Sequence, residues 1–599
     1  MSGLNEPLTG NTVTLPTANH YSRLKMLSEL LKSGKDIILC INIQTNSAIS
    51  SPKPPVQSCN RNRSRQEIMR LTRLNELSDP MAKMSVEVAS TIFKLCLPFI
   101  PDGLTDDDQE GYSKFNNQTL FALGAVCKWW REIVWTTPQM WTLVNLVVGP
   151  KNLATTTIIA KEWLERTRHL PLNIQIYIPH LPHRPESVWT FEPTMAEFTR
   201  FSEVLNASSE RWADLDLRMP AVLLDKFTGR PANLRSICII NTSPKPYYND
   251  YIALARTAEG EAKPAPTYLS ITAVQFESID ATWSNLTRVG VQRISMLDAF
   301  DILLQAPRLE RYELEDVDCT TYNDENAWFT PIIHQNLRHL RIEDVRTDIL
   351  NHLCAENLLS FLLLDTLYIE VQYGFPISND FVALLERSAC PLVDLTFIAP
   401  FNNDLLIPML KTVSSLRRLI LVPTYFSHGD YTGESLFKRI VHTTQRIPLF
   451  DESQASIPTA ARARDDAFLP ELEYFAYHPR KFEDFDKIWD LIPGLFGVAD
   501  DPTTGTGNNI DDPYRRPLVK VDIVYEPRKS ASTRPLLLSI ETWSRIMKLR
   551  EKGLSIGITV FSLHDETTRE KVASWMQARS GRITYFDSLS LENKTIILL

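Results

Sequence analysis

Leu309-Glu-Arg-Tyr-Glu-Leu314, Leu337-Arg-His-Leu-Arg-Ile342, Leu364-Asp-Thr-Leu-Tyr-Ile369 and Leu392-Val-Asp-Leu-Thr-Phe397 are four copies of one pattern, apolar-x-x-apolar-x-apolar. Alternation over the last three positions predicts a strand with one buried face, because successive side chains on a strand point to opposite sides. The unit also occurs at Trp212/Leu215/Leu217, Leu234/Ile237/Ile239, Leu286/Val289/Val291, Leu416/Leu419/Leu421, Leu472/Phe475/Tyr477 and Leu518/Val521/Ile523. From Leu286 to Leu416 the starts fall 23, 28, 27, 28 and 24 residues apart. A period of that size means one supersecondary unit repeated, each strand returning through a helix or loop to stack beside the last. The intervals hold suitable returns: Met296 to Gln305 before Ala306-Pro307, Asp380 to Arg387 before Cys390-Pro391, and Asp404 to Val413 before Ser414-Ser415.

This spacing resembles that of leucine-rich repeats. The asparagine that closes each turn in regular repeats is mostly missing, so the repeats are irregular, and an ordinary α/β domain is the other reading of the same stretch. The expected fold class is an α+β or α/β solenoid. Within each unit the residue between the last two apolar positions faces away from the core. That selects Asp216, Cys238, Gly290, Glu313, Arg341, Tyr368, Thr396 and Ile420, a row mixing acid, base, aromatic and aliphatic groups. Such a mixture suits a protein partner better than a polyanion. Glu313, Arg341 and Tyr368 are the expected target-binding residues, since arginine and tyrosine are enriched at binding hot spots; the other reading is ordinary solvent-facing strand positions.

Upstream, Lys83 to Val144 reads as a small helical module. Met84, Val88, Ile92 and Leu95 recur at spacings of three and four, and so do Leu123, Val126, Cys127, Trp130 and Ile133/Val134. Two short amphipathic helices are therefore expected to pack stripe against stripe, closed by Trp135 and Trp141 across the stop signal Thr136-Thr137-Pro138. The Ile92-Phe93 pair, the Val126-Cys127-Lys128-x-Trp130-Arg131 core and the Thr137-Pro138-x-x-Trp141 ending resemble an F-box, specifically the F-box-like proteins abundant in mushroom-forming (basidiomycete) fungi. Trp163-Leu164-x-Arg166 followed by Pro171-Leu172-x-Ile174-x-Ile176 extends the resemblance to about residue 180. Where the family usually has leucine followed by proline, this chain has Met84-Ser85.

The resemblance implies a substrate-recognition subunit of a Skp-cullin-F-box ubiquitin ligase, without chemistry of its own. The module would dock on a Skp-family adaptor, and through it a cullin-RING ligase, while the repeats hold an unknown target. Carried over by position, the adaptor-binding residues are Met84, Ser85, Glu87, Val88, Ile92, Phe93, Leu123, Val126, Cys127, Trp130 and Arg131. The competing reading is a repeat scaffold not engaged with a ligase.

The rest of the chain fits a non-catalytic binding protein. At 599 residues it exceeds one ordinary core. Its net charge of -9 argues against nucleic acid as partner, since that affinity needs a basic surface. Eight scattered cysteines without a CxxC pair indicate a reduced compartment rather than a disulfide framework. No stretch reads as a membrane span, Ile37 to Ile43 being far too short, so a cytoplasmic or nuclear location is expected. The sequons at Asn117, Asn206, Asn241, Asn285 and Asn593 are then chance matches. Arg61, Arg63 and Arg65 read either as a solvated linker or as a nuclear signal.

Asp106, Asp107, Asp108 and Glu110 lack Ca²⁺-loop spacing and read as a solvated loop. His180 and His183 are separated by a proline that breaks the helix a zinc pair needs. No metal, cofactor or catalytic residue is expected. The expected organisation is a mostly disordered tail (1–65), a short lead-in helix (66–82), the F-box-like module (83–144), a linker helix and first strand (145–205), and an irregular repeat domain (206–599). The last carries polar loops near 443–467 and 500–517 and a C-terminal cap.

Overall fold

The computed structural model describes residues 84–97, 119–179, 192–243, 263–318, 331–345, 359–371, 378–399, 403–423, 433–445, 468–478, 488–496, 517–525, 540–551 and 554–560, with Trp189 and helical positions at 66, 67, 69, 70 and 73. The tail at 1–65, the carboxylates Asp106 to Glu110, His180 and His183, nearly all of both polar loops, and the expected C-terminal cap beyond residue 560 lie outside these residues. Among the described residues no helix is long and apolar enough to cross a membrane. The chain divides into two units, Met1–Trp141 and Thr142–Leu599.

In the first unit, helix α1 (Val86–Cys96) starts at the N-cap Ser85, whose hydroxyl accepts from Val88 N at 3.4 Å, with Glu87 in the first turn. A second helical run at 119–126 ends where Cys127 becomes extended, and α2 (Lys128–Thr136) restarts from it, the Cys127 sulfur accepting from Trp130 N. Pro138 then opens a 3₁₀ turn, Pro138–Met140. The core is aromatic: Phe93 packs on Trp130 with ring centroids 4.7 Å apart, and Trp135 meets Trp141 edge-on at 5.3 Å. Trp141 is fully buried and donates from Nε1 to Val134 O at 2.9 Å, so its one polar atom is satisfied. Gly124 lies where a Cβ would be 2.5 Å from the Trp135 ring.

Two expectations are corrected here. The first helix buries Ala89 and Phe93, while Met84, Val88 and Leu95 of the anticipated inward stripe are exposed and Ile92 is half-buried. The second stripe breaks at Cys127, so Val126 is exposed although Cys127, Ile133 and Val134 are buried.

The second unit is a large parallel sheet with helices. Its strands are β1 (Leu143–Val147), β2 (Leu172–Tyr177), β3 (Trp212–Met219), β4 (Ser236–Asn241), β5 (Tyr268–Thr272), β6 (Arg288–Gln292), β7 (Arg311–Glu315), β8 (Ile332–His334), β9 (His339–Glu343), β10 (Leu359–Phe361), β11 (Thr366–Glu370), β12 (Asp394–Ala399), β13 (Arg418–Pro423), β14 (Tyr474–Tyr477), β15 (Lys520–Tyr525) and β16 (Ser555–Val560). Among the described residues fourteen strands form one sheet in chain order, and β8 and β10 pair separately. Parallel neighbours require a crossover between strands, so strict chain order is what a winding chain produces; the architecture is compatible with a solenoid-like α/β fold.

Register follows the six-residue unit. Val289, Tyr312, Leu340, Leu367, Leu395, Leu419, Phe475 and Val521 stand opposite one another strand by strand, and all are buried. The returns lie close to expectation, with helices Met296–Gln305, Asn379–Ser388 and Asn403–Thr412. Four strands are each followed by a residue of positive φ, namely Ala273, Arg293, Asp316 and Asp344, a turn conformation that repeats with the array.

Three features lie beyond the expectation. The sheet begins at β1, inside the stretch assigned to the module, and the helix Leu153–Arg166 and β2 expected as linker and first strand belong to the same array. Strand β5 was not anticipated, because Pro266 stands where other units have their first leucine; Pro266, Leu269 and Ile271 are nonetheless buried like the rest. Glu434–Gln445 is a helix that was not expected and ends inside the start of the polar loop read near 443–467.

Candidate functional site

A strand in an array has one face turned to the core and one turned away. On the outward face, Gln175, Asp216, Cys238, Ser270, Gly290, Glu313, Arg341, Tyr368, Thr396, Ile420, Ala476 and Asp522 are register partners from β2 to β15. All eight residues expected in this row are in it. The positions Gln175, Ser270, Ala476 and Asp522 extend it. The Ile174-x-Ile176 and Leu269-x-Ile271 pairs were the sequence signal for the first two.

The three expected target-binding residues are brought together on consecutive strands, Glu313 opposite Arg341 and Arg341 opposite Tyr368. The Arg341 guanidinium lies 4.7 Å above the Tyr368 ring centroid, a cation–π arrangement. Arg341 also donates to Glu343, Tyr368 donates from its hydroxyl to Glu370 at 2.7 Å, and Arg311 pairs with Glu313 at 2.6 Å. Burial, then the Glu370 carboxylate, pushes the Tyr368 hydroxyl well up, so it stays a neutral donor. Arg341 is exposed, and Glu313 and Tyr368 are half-buried.

A second constellation sits further along this face. The Arg418 guanidinium and the Lys520 ammonium lie 5.3 and 5.2 Å from the Tyr474 ring centroid. Asp394 pairs with Arg418 at 2.7 Å, and Asp522 takes hydrogen bonds from both Tyr474 and Lys520, each at 2.7 Å. Every charge named here has an opposite partner. The arrangement can present shape and polarity to a partner, but it holds no nucleophile beside a base. Cys238 in the row is half-buried, and burial followed by the nearby Asp216 carboxylate pushes its thiol well up, away from the reactive thiolate. Among the described residues no group of three His, Cys, Asp or Glu side chains could hold a metal ion.

The expected adaptor-binding residues of the first unit separate into three groups by exposure. Phe93 (1% exposed) and Cys127 (6%) are core, so they can support a surface but cannot touch a partner; Ile92, Leu123 and Trp130 are half-buried. Met84, Ser85, Glu87, Val88, Val126 and Arg131 are exposed, with Arg131 Nε donating to Gly124 O at 2.9 Å. Val88 and Leu95 face outward on α1, Leu95 71% exposed, and Met84 is exposed just before the N-cap. Leu95 was not among the expected site residues, although its spacing from Val88 announced it. Exposed Phe121 joins Val126 on the helical run before α2. The sequence matches no protein-family profile and no curated protein.

Proposed function

We propose that this chain is the substrate-recognition subunit of a Skp-cullin-F-box type ubiquitin ligase, a leucine-rich-repeat protein of the F-box-like kind. The small helical module docks on the Skp-family adaptor, and the outward sheet face, centred on Glu313, Arg341 and Tyr368, holds the target. The observation that carries this reading is the exposed pair Val88 and Leu95 on α1, with Met84 exposed just before its N-cap, beside a core in which Phe93 packs on Trp130. An apolar stripe repeated at helical spacing and facing water is a docking feature, since a module this small gains nothing by exposing it. The catalytic contribution is proximity: a bound target's lysines are held at high effective concentration before the charged conjugating enzyme.

The second reading, a repeat scaffold without a ligase, draws on Ser85. It stands where the resemblance calls for proline, and it acts as an N-cap outside the helix rather than at the first helical position. Its φ of -67° suits proline. Ser85→Pro combined with Met84→Leu therefore exchanges a hydroxyl cap for a preorganised entry and is expected to tighten adaptor binding.

The decisive experiment is a titration of the adaptor with the full chain and with Val88→Asp/Leu95→Asp, whose changes fall on exposed positions. Loss of binding at unchanged thermal stability supports the ligase reading. A wild-type chain that never binds the adaptor, with Met84→Leu/Ser85→Pro equally silent, leaves the scaffold.

A further inference from the structure

Charge is sorted across the proposed target face, and the sorting fits a helix. On β6, β7 and β9 the positions preceding the central row are Arg288, Arg311 and His339, registered in a line and all exposed. Beyond the central row, Glu315 stands opposite Glu343, and Glu370 follows directly on the pair Ile369 and Ile342. Between these edges lie Gly290, Glu313, Arg341 and Tyr368. One edge therefore carries the two arginines Arg288 and Arg311 beside His339 and the other is acidic, and the turns behind the acidic edge add Asp316, Asp318 and Asp344 beside Arg293. Carboxylates directly opposite each other on neighbouring strands repel. Within the sheet Arg341 donates to Glu343, Tyr368 to Glu370 and the Gln292 amide to Glu315, and Arg293 stands 4.0 Å from Asp316.

The spacing selects the shape of the occupant. The two edges are four residues apart along each strand, about 13 Å at 3.3 Å per residue, close to the roughly 10–12 Å diameter of an α-helix with its side chains. Neighbouring strands are about 4.8 Å apart and successive helical turns about 5.4 Å. A helix lying across the strands thus offers one turn to each of β6, β7, β9 and β11, slipping by about 2 Å in all. An extended segment repeats its same-side residues every 6.8 Å or so and loses step at once.

Resting on the proposed role of this face in target binding, we infer that it takes an amphipathic helix of a target protein laid across β6 to β11, with an acidic flank along Arg288 and Arg311 and a basic flank along Glu315, Glu343 and Glu370. Gly290 leaves room at one end, a Cβ built there meeting only Glu313 Oε2 at 3.9 Å. Arg341 and Tyr368 supply a flat floor for the apolar seam between the flanks. Reversing such a helix would face like charges on both edges, so the sorting also dictates its direction.

The test uses two stapled 14-residue helical peptides of identical composition, one with glutamates on one flank and lysines on the other of a leucine-tyrosine seam, the second with the charges mixed on both flanks. Fluorescence anisotropy against the full chain should show the sorted peptide binding at least tenfold more tightly. Glu315→Gln/Glu343→Gln/Glu370→Gln, which removes only exposed or half-buried like charges, should erase that preference, and Arg288→Gln/Arg311→Gln should reduce it. Equal affinity for the two peptides, or a preference unchanged in the glutamine variant, overturns the inference. A dimer of the chain that the sorted peptide dissolves in sedimentation gives the face to a second copy and overturns it too. Failure of the underlying reading looks different: once a target is identified, Glu313→Ala/Arg341→Ala/Tyr368→Ala still captures it. Loss of target in that variant beside indifferent peptides sinks the helix alone.

Discussion

The strand array and the first helix of the module were read by the same rule and answered differently. In both, apolar residues at regular spacing predicted a buried face. All ten repeat units keep their apolar residues inside, whereas of the stripe expected on the first helix Val88 and Leu95 face out on α1, Met84 is exposed before it, and Ala89 and Phe93 face in. A strand between two registered neighbours has no freedom to turn, because slipping by one residue would put every side chain on the wrong face. A helix with one small partner can turn on its axis. Which stripe it buries depends on which side offers the better packing, and Phe93 against Trp130 at 4.7 Å decides it.

The contrast can be broken most forcefully in the array. Phe397 is fully buried on β12, stacked on Phe381 at 6.4 Å; Phe397→Ala should cost about 4 kcal/mol, measured by denaturant unfolding of the second unit's transition. A cost under 1 kcal/mol would mean that the array is loosely packed.

Acid should act next. Burial holds His478 down at about 4, against the pull of Asp522, and burial also lowers His334. His334 is fixed neutral by geometry, its Nδ1 accepting from Leu337 N at 3.1 Å while Nε2 bonds Ala306 O at 3.0 Å. Both groups bind protons more readily unfolded than folded. Their contribution is therefore present above the unfolded pKa of about 6.5 and is lost as pH falls toward 4, by about 3 kcal/mol for His478. Melting curves of wild type and His478→Gln between pH 7 and 4 check this. Parallel curves would remove His478 as the cause.

In the module, Gly124→Ala puts a methyl 2.5 Å from the Trp135 ring and should cost about 2 kcal/mol through overpacking. Loss of the near-ultraviolet tryptophan signal before global melting would locate the damage. Arg293→Gly should go the other way. Arg293 holds φ at 55°, and its ion pair with Asp316 is long, 4.0 Å, and exposed. Releasing the left-handed strain should stabilise by about 1 kcal/mol, read as a rise in Tm.

The smallest effect is the sharpest comparison. Val88→Ser/Leu95→Ser, at positions that the spacing rule alone would call core, should change stability by no more than about 0.5 kcal/mol. A loss like that of Phe397→Ala would mean that these residues are buried in solution and would withdraw the proposed docking face from α1.

The array was largely legible in the sequence, since the apolar-x-x-apolar-x-apolar unit carries strand, register and inward face together. Three return helices were announced by their apolar spacing and by Ala306-Pro307 and Cys390-Pro391 after two of them. Strand β5 was not, because Pro266 fills a leucine position and is recognised as core only once β4 and β6 flank it. Strand β1 was hidden for a related reason: Leu143 to Val147 follows the tryptophan that closes the module, and only pairing with β2 assigns it to the sheet. The outward row was readable position by position, down to the adjacency of Glu313, Arg341 and Tyr368. The sequence by itself thus determined the repeating strand, its inward residues and the composition of its outer face, because a period of two is a local property of the chain. Tertiary structure alone decided the packing of Arg341 on Tyr368, the sorting of charge to opposite edges, and the outward turn of the α1 stripe. Each of these depends on which neighbour a side chain meets, and no local spacing encodes that.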